Sequence, residues 1–192
     1  MITPKGGEVM KSAQLSVIAF PKLSKEKEIL ELREKFVPEI SQIEPHIPIV
    51  SPWTPAELGE VLSVIDSISR TRKKLSPIAI AGEGWRRQDE LLILEITEGA
   101  EALVQLSRNI TGAEPLSLLP ETKEEKVNLI VCRIPKGKDW GTVLKEAKKI
   151  GRTVGVIDSM MLIRHLPDRS YQRVAKFPFG VGRVDFYERL LG

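Results

Sequence analysis

His46 is the residue whose type and position best suit it to chemistry. It is one of only two histidines, and it enters a short apolar run, residues 44–53 (EPHIPIVSPW), that closes on a proline and a tryptophan. At the first residue of a predicted strand, an imidazole can act as a general acid or base near neutral pH. Because Pro48 cannot donate to a strand ladder, we predict an edge strand whose histidine ring is partly open to a groove. The alternative is a structural histidine, hydrogen-bonded at the strand end.

The composition argues against several other kinds of site. A single cysteine, Cys132, excludes an internal disulfide and the Cys-rich zinc spacings, and two distant histidines offer no metal cluster. We therefore expect no metal, no cofactor and a reducing, cytoplasmic setting. Residues 1–12 lack the apolar core of a signal peptide and are expected to form a flexible N-terminus, and no later run predicts a membrane span. The net charge of +3 permits an anionic partner without demanding one.

Hydrophobic periodicity predicts the elements that would hold His46. Residues 14–20 form an apolar run ended by Pro21, which indicates a buried strand. A helix capped by Ser24 should follow and end at or bend near Pro38. After the His46 strand, the capping box at residues 54–57 (TPAE) starts another helix, whose predicted apolar face is Leu58, Val61, Leu62, Ile65 and Ile68.

The second part of the chain predicts a hairpin and a further set of alternating elements. Apolar runs on either side of residues 82–87 (GEGWRR) are typical of a β-hairpin with its turn at those residues. A helix then ends at Gly112, and residues 113–126 are predicted to be a surface loop. The remaining predicted elements are a strand at 127–134, a helix capped by Asp139, strands at 153–157, 159–165 and 171–179, and a short amphipathic helix at 184–191.

The order strand, helix, strand, turn, strand occurs twice, from His46 to Ile96 and from Asn128 to Phe179. A repeated order suggests two similar lobes that meet face to face, with the first strand of each beside a common cleft. We therefore predict that residues 1–192 form a single bilobal domain in which the strands beginning at His46 and near Asn128 are neighbours across a central groove.

With these elements placed, the sequence resembles the 2H phosphoesterase superfamily, in particular its 2′-5′ RNA ligase and 2′,3′-cyclic phosphodiesterase branch. Residues 45–53 are similar to the first His-x-Thr-x motif of that family, which follows a proline and precedes a Pro-aromatic pair. Residues 128–133 stand where the second motif and its arginine would stand, and residues 162–180 are similar to the last two strands. The resemblance implies a bilobal α+β fold, each lobe a small antiparallel-rich sheet with helices outside, and a central cleft lined by the two motifs.

The family's chemistry shows what this chain has kept and what it has lost. Two facing histidines supply the base and the acid for phosphodiester cleavage through a ribose hydroxyl, and two threonine hydroxyls hold the phosphate oxygens. Here Pro48 replaces the first threonine, Asn128 the second histidine and Ile130 the second threonine. Asparagine cannot act as an acid or base at neutral pH. His46 is therefore the one position that matches as catalytic.

Two functions follow from the resemblance. The substitutions favour a protein that keeps a cleft for a nucleotide or an RNA end but has lost turnover. The alternative is an active phosphodiesterase on 2′,3′-cyclic or 2′-5′-linked nucleotides that uses His46 with a non-standard partner, His165 being the first candidate. A cleft reused for an unrelated metabolite is a third reading.

Several residues are predicted to bind the substrate of such a cleft. Arginine suits phosphate, and aromatic rings can stack on bases, although core or lobe-interface packing is the alternative for the aromatics. Arg86 and Arg87, in the predicted turn, could bind phosphate or simply be solvated. The predicted substrate-binding residues are Asn128, Arg133, Trp53 and Tyr171.

Overall fold

The computed structural model describes residues 14–37, 43–55, 58–111, 127–167 and 170–187. The predicted flexible N-terminus, the predicted loop at 113–126, part of the capping box at 54–57 and the end of the predicted C-terminal helix lie outside these residues. Within them the chain forms ten strands and four helices, in the order β1 (Leu15–Ala19), β2 (Lys22–Leu23), α1 (Glu26–Phe36), β3 (Ile47–Trp53), α2 (Leu58–Arg72), β4 (Ile78–Gln88), β5 (Leu91–Glu98), α3 (Ala100–Thr111), β6 (Asn128–Arg133), α4 (Trp140–Ile150), β7 (Thr153–Ile157), β8 (Ser159–His165), β9 (Tyr171–Pro178) and β10 (Asp185–Phe186).

The strands form two five-stranded sheets in which every neighbouring pair is antiparallel. The first sheet has the strand order β10-β9-β8-β1-β3, and the second has the order β2-β7-β4-β5-β6. The α+β class predicted from the sequence is therefore confirmed.

The two repeated passages do not build one sheet each. The first passage places β3 in the first sheet and the β4–β5 hairpin in the second. The second passage places β6 and β7 in the second sheet and the β8–β9 hairpin in the first. Both lobes are thus interleaved along the chain, because antiparallel partners are chosen by packing in three dimensions and not by their order in the sequence.

The two sheets are joined where their edge strands meet. The amide of His46 donates to the carbonyl of Ile130 at 3.0 Å, and the amide of Ile130 donates back to the carbonyl of His46 at 2.8 Å. The prediction that the strands beginning at His46 and near Asn128 are neighbours is therefore confirmed. At this point the two strands pair directly through their backbones, with no open gap between them.

A hydrophobic core packs the helices against the sheets. Its residues recur at helical spacing because one face of each amphipathic helix turns towards the sheet. In α2 the buried face includes Val64 but not Leu62, which the sequence had placed on it and which is 43% exposed. The helical core residues are Ile29, Leu32 and Phe36 of α1, Val61, Val64, Ile65 and Ile68 of α2, Leu103, Leu106 and Ile110 of α3, and Val143, Ala147 and Ile150 of α4.

Of the predicted helix caps Asp139 and Ser24, the structure contains only the first. Asp139 caps α4 as predicted, since its carboxylate accepts from the amides of Gly141 and Thr142. Ser24 does not cap α1; its hydroxyl accepts from the amide of Val154 and so ties the start of the helix to β7. A partner distant in sequence has therefore replaced the local cap.

The hairpin turn lies further along the chain than predicted. Residues 82–87 belong to β4, and the turn falls after Gln88, where Asp89 takes a φ of 53°. Gly84 is the extra residue of a bulge in β4, because the register shifts between Glu83 and Trp85, and a second shift lies between Ala81 and Gly82. A Cβ on Gly82 would approach the Leu94 side chain to 2.9 Å, so the close strand contact requires glycine there.

The C-terminal segment forms a strand where a helix was predicted. Residues Asp185 and Phe186 pair with Lys176 and Ala175 of β9. Asp185 and Phe186 therefore extend the first sheet beside β9. None of the four helices in the described residues is long and apolar enough to cross a membrane.

Arg72, the last residue of α2, is hydrogen-bonded to the turn between β9 and β10. Its side chain is buried, with only 5% of its surface exposed. Its Nη1 donates to the carbonyls of Pro178, Gly180 and Gly182 at 2.8, 3.3 and 2.6 Å. Its own carbonyl accepts from the amide of Gly180 at 2.8 Å. One cationic side chain thus satisfies the carbonyls of the turn between β9 and β10.

Candidate functional site

His46 lies at the junction of the two sheets with a nearly buried ring. The side chain is 9% exposed, and the Phe20 ring stands edge-on to it with ring centroids 6.4 Å apart. Nδ1 lies 2.8 Å from the carbonyl oxygen of Glu44, and since a carbonyl only accepts, Nδ1 carries the proton and Nε2 the lone pair. The prediction of a ring partly open to a groove is wrong, because Phe20 and the pairing with Ile130 enclose it. This is the geometry of the structural alternative, and a catalytic role stays a proposal.

Burial sets the protonation state of this imidazole. It lowers the pKa of His46 from 6.5 to about 4. The hydrogen bond to the Glu44 carbonyl opposes the shift, whereas the positive charges of Arg33 and His165 add to it. At neutral pH the ring is therefore uncharged, and it can accept a proton at Nε2 but cannot act as an acid.

The low pKa of His46 predicts that the protein loses stability in mild acid. Because the folded pKa lies below the unfolded value, the unfolded chain binds more protons as the pH falls from 6.5 to about 4. The free energy of unfolding should fall over this window by up to about 3 kcal/mol from this residue. Denaturant unfolding at several pH values should show this fall in the parent protein and a flatter curve for His46→Gln. An NMR titration that places the His46 pKa near 6.5 would contradict the assignment.

Asn128 stands on the neighbouring strand in a polar cluster with Arg86 and Glu95. It is 8% exposed, and its Oδ1 accepts from Nη2 of Arg86 at 3.3 Å. Nε of Arg86 lies 3.6 Å from Oε2 of Glu95, which pairs with Asn128 across β5 and β6. A guanidinium and an amide are thus held side by side at the position where the second histidine of the family motif would stand.

The sequence analysis did not predict that Arg86 contacts Asn128. The turn prediction put Arg86 and Arg87 together, but in strand β4 they point to opposite faces. Arg87 lies over the Trp140 ring at 4.9 Å, on the side of α4, while Arg86 meets Asn128. Alternation within β4 would have separated the two arginines if the strand had been extended through Gln88.

The remaining motif positions are apolar. Ile130 pairs directly with His46, and its side chain is half-buried. Pro48 is also half-buried and pairs with Ile18 of β1. Neither side chain can donate to a phosphate oxygen. The side-chain donors available at the second motif are therefore Asn128 and Arg86.

Tyr171 belongs to a hydrogen-bonded group beside His46. Its hydroxyl donates to the carboxylate of Glu44, and Nη2 of Arg173 donates to the same carboxylate at 3.0 Å. Burial raises the pKa of Glu44, but the Tyr171 hydrogen bond and the charge of Arg173 outweigh it and leave that pKa below its usual value. The Tyr171 ring also packs against Phe20, with centroids 6.4 Å apart. Glu44 thus fixes the imidazole through its carbonyl while its own side chain is held in place.

Two predicted substrate-binding residues lie elsewhere. Trp53 is 5% exposed and belongs to the hydrophobic core. Arg133 ends β6 and pairs with Glu90 of the hairpin turn at 2.9 Å. The structure therefore places Trp53 where it cannot stack on a base, and it gives Arg133 an ion pair beside the hairpin.

The second histidine lies near the first. Nε2 of His165 lies 2.9 Å from the hydroxyl of Ser16, and its ring is half-buried. Burial lowers the pKa of His165, and its charge is close enough to lower the pKa of His46. Whether His165 replaces the missing catalytic partner stays a prediction. Among the described residues, no group of three or more His, Cys, Asp or Glu side chains could hold a metal ion.

Comparison with known proteins adds evidence at the level of the fold. No family model and no curated protein matches the sequence. The structure is similar to that of E. coli LigT complexed with 3′-AMP, with a TM-score of 0.55 and 11% identity over 88% of this chain and 98% of LigT. LigT complexed with NADP+ gives a TM-score of 0.54 and 12% identity over the same shares. A further solved phosphoesterase gives 0.55 and 10% identity over 88% of this chain and 99% of its own. The fold implied by the sequence resemblance is therefore confirmed.

Proposed function

We propose that this chain, which shares the fold of LigT, is a 2H phosphoesterase-like protein that binds the phosphate of a nucleotide or an RNA end without turning it over. The observation that carries the proposal is the pairing of Arg86 with Asn128 on the strand beside His46. This cluster supplies hydrogen-bond donors at the family's second motif after the catalytic histidine and threonine have been lost.

The donors at this position suit a phosphate group. A guanidinium presents several N–H groups in a fixed plane and binds phosphate by charge-assisted hydrogen bonds. The Asn128 amide adds a neutral donor, and the unprotonated His46 does not repel a cationic neighbour. Solved LigT complexes contain phosphate and 3′-AMP, which supports the same class of ligand for this chain.

The absence of turnover follows from the missing acid. Cleavage of a cyclic phosphodiester needs a base on the attacking oxygen and an acid on the leaving oxygen. His46 can serve only as a weak base, since its pKa is about 4, and Asn128 cannot transfer protons. The loss of one partner of such a pair should cost a factor of about a hundred or more in rate.

Titration with adenosine 3′-monophosphate tests the binding, with calorimetry or NMR as the measurement. We expect saturable binding that weakens as salt is added, because the main contact is between Arg86 and the phosphate. Arg86→Gln should weaken binding about tenfold or more, since a hydrogen bond to a charged group is lost. Arg87→Gln is the matched control and should bind like the parent, because Arg87 lies against Trp140 on the opposite face.

The same protein should show no hydrolysis of nucleoside 2′,3′-cyclic phosphates above a His46→Ala control. An Arg86→Gln variant that binds as tightly as the parent would contradict the proposed phosphate site. Turnover that disappears in His46→Ala would contradict the proposal that the protein only binds.

The active phosphodiesterase remains a second candidate because one observation favours it. His165 is hydrogen-bonded to Ser16 and lies close enough to influence the pKa of His46. It is the one residue of the right type that could supply the missing proton transfer. Turnover lost in both His46→Ala and His165→Ala would establish this candidate in place of the first.

A further inference from the structure

A cavity of about 380 Å³ lies where the chain crosses between the two sheets. β1 of the first sheet is followed directly by β2 of the second, and β7 of the second is followed directly by β8 of the first. Pro21 and Asp158 stand at these two crossovers, and both line the cavity. Its volume lies in the range of small-molecule sites in proteins. Arg86 and Asn128 are not among the described residues that line it, so it is separate from the proposed phosphate site.

The apolar wall of the cavity comes from two hydrophobic clusters. Met160 and Ile29 belong to the large core, whereas Met161 belongs to a smaller cluster beside Phe20. The two methionines and the isoleucine are buried. Thioether groups and aromatic rings make favourable contacts with a further aromatic ring. This wall therefore suits an aromatic group.

The cavity carries equal numbers of acidic and basic side chains, three of each. Four of these charges are already neutralised in pairs. Nζ of Lys22 lies 2.5 Å from the Asp158 carboxylate, and Nη2 of Arg173 lies 3.0 Å from the Glu44 carboxylate. A ligand without net charge is therefore favoured over an anion or a cation.

The remaining two charges, Glu26 and Lys176, form no ion pair with another side chain in the described part of the chain. The hydrogen bond from its own partner lowers the pKa of Asp158, and the charge of Lys176 adds to that effect. Lys176 pairs with Met161 across β8 and β9, so the two side chains share one face of the sheet. Glu26 stands one turn before Ile29 on α1, on the same side of the helix. One charge of each sign thus stands beside the apolar wall.

We propose that this cavity binds a small zwitterion with an aromatic group, of which aromatic amino acids and their dipeptides are the simplest examples. The ring of the ligand lies against Met160 and Met161. Its ammonium group meets Glu26, and its carboxylate meets Lys176. The proposal does not depend on the proposed function, because the two sites share no residue.

Titration with L-tryptophan tests the cavity, with NMR of protein labelled with ¹³C at the methionine methyl groups as the measurement. We expect saturable shifts of the Met160 and Met161 signals, because the ring current of an indole acts at short range. Tryptamine lacks the carboxylate and indole-3-propionate lacks the ammonium group. Each should bind about fivefold more weakly than L-tryptophan, the value of a lost exposed ion pair. Glycyl-tryptophan, whose charges stand further apart, distinguishes a peptide ligand from a free amino acid, and saturable binding of either supports the proposal.

Two substitutions test the roles of the unpaired charges. Glu26→Gln should weaken binding of L-tryptophan about fivefold and leave indole-3-propionate unaffected, because that probe has no ammonium group. Lys176→Gln should weaken L-tryptophan to the same degree and leave tryptamine unaffected, because tryptamine has no carboxylate. Glu28→Gln is the matched control on the same helix. It should bind like the parent, since Glu28 is exposed and does not line the cavity.

The outcomes separate this proposal from the proposed function. Methionine signals that stay fixed at about 10 mM of both L-tryptophan and glycyl-tryptophan would overturn the cavity as a binding site. Binding that neither Glu26→Gln nor Lys176→Gln weakens would overturn the recognition of a zwitterion. A protein that binds L-tryptophan but not adenosine 3′-monophosphate would refute the proposed function and leave the cavity proposal standing.

Discussion

Replacing Asn128 by His together with Ile130 by Thr should raise the hydrolysis of nucleoside 2′,3′-cyclic phosphates about a hundredfold or more above the parent protein. The double change rebuilds the acid and one phosphate-holding hydroxyl at matching positions of β6. Ile130 holds His46 through its backbone, so a threonine keeps both hydrogen bonds between the sheets. Its half-buried side chain leaves room for a smaller, polar one.

The acid role at position 128 depends on two neighbours of opposite charge. Glu95 is the cross-strand neighbour of Asn128, and its carboxylate would raise the pKa of an imidazole there, whereas the Arg86 guanidinium, which contacts Asn128, would lower it. The new histidine acts as the acid only if it is protonated while His46, with a pKa of about 4, is not. Two imidazoles whose pKa values are pushed apart are what a concerted acid–base step requires.

Three variants control this experiment. Ile130→Thr alone should stay inactive, because it supplies no acid. His46→Ala in the double variant should abolish the gained rate. Adding Pro48→Thr should raise the rate again by restoring the other hydroxyl, since Pro48 occupies the matching position of β3. A double variant that binds adenosine 3′-monophosphate yet hydrolyses no faster than the parent would contradict the proposed reason for inactivity.

Arg72→Ala should lower the free energy of unfolding by about 3 kcal/mol or more, measured by denaturant unfolding. The variant leaves the carbonyls of Pro178, Gly180 and Gly182 without the cation that now serves all three. Buried acceptors that lose their donor cost more than the net value of the bond that joined them.

Arg70→Ala is the matched control two residues earlier on the same helix. Arg70 is exposed and pairs with Asp66 at 3.0 Å, so its loss should cost less than about 1 kcal/mol. Equal destabilisation by the two substitutions would show that Arg72 acts only through helix propensity. Arg72→Lys should fall between them, because an ammonium group cannot reproduce the planar fork of donors.

Hydrophobic periodicity predicted the helices well, because each helix buries only one of its faces. Periodicity located α1, α2 and α4, and Asp139 marked the start of the last of these. The pattern failed where the reason for a residue lies in a distant strand. Glycine is required at position 82 by the close approach of Leu94, and Ser24 bonds to Val154 instead of capping its helix.

The candidate site was predictable only in part for the same reason. The motif resemblance placed His46 and Asn128 on neighbouring strands, and the backbone pairing with Ile130 agrees with it. It could not show that Phe20 encloses the imidazole or that Arg86 reaches Asn128, since both contacts depend on the register of strands far apart in sequence. The sequence also did not show that Trp53 is buried in the core, since a single strand does not reveal which of its faces the rest of the chain will cover.

The interleaving of the two sheets bears on how the chain reaches its native state. Each sheet takes strands from both sides of residues 112–126, so a fragment ending before this segment would contain β1 and β3 without β8, and β4 and β5 without β6 and β7. Such a fragment could complete neither sheet, and it would expose unpaired strand edges that invite aggregation. Most native pairings must also wait for long stretches of chain to meet, which gives a high contact order and slow folding. We infer that the two lobes fold as one cooperative unit. The N-terminal part of the chain cannot fold stably before the C-terminal part has been synthesised.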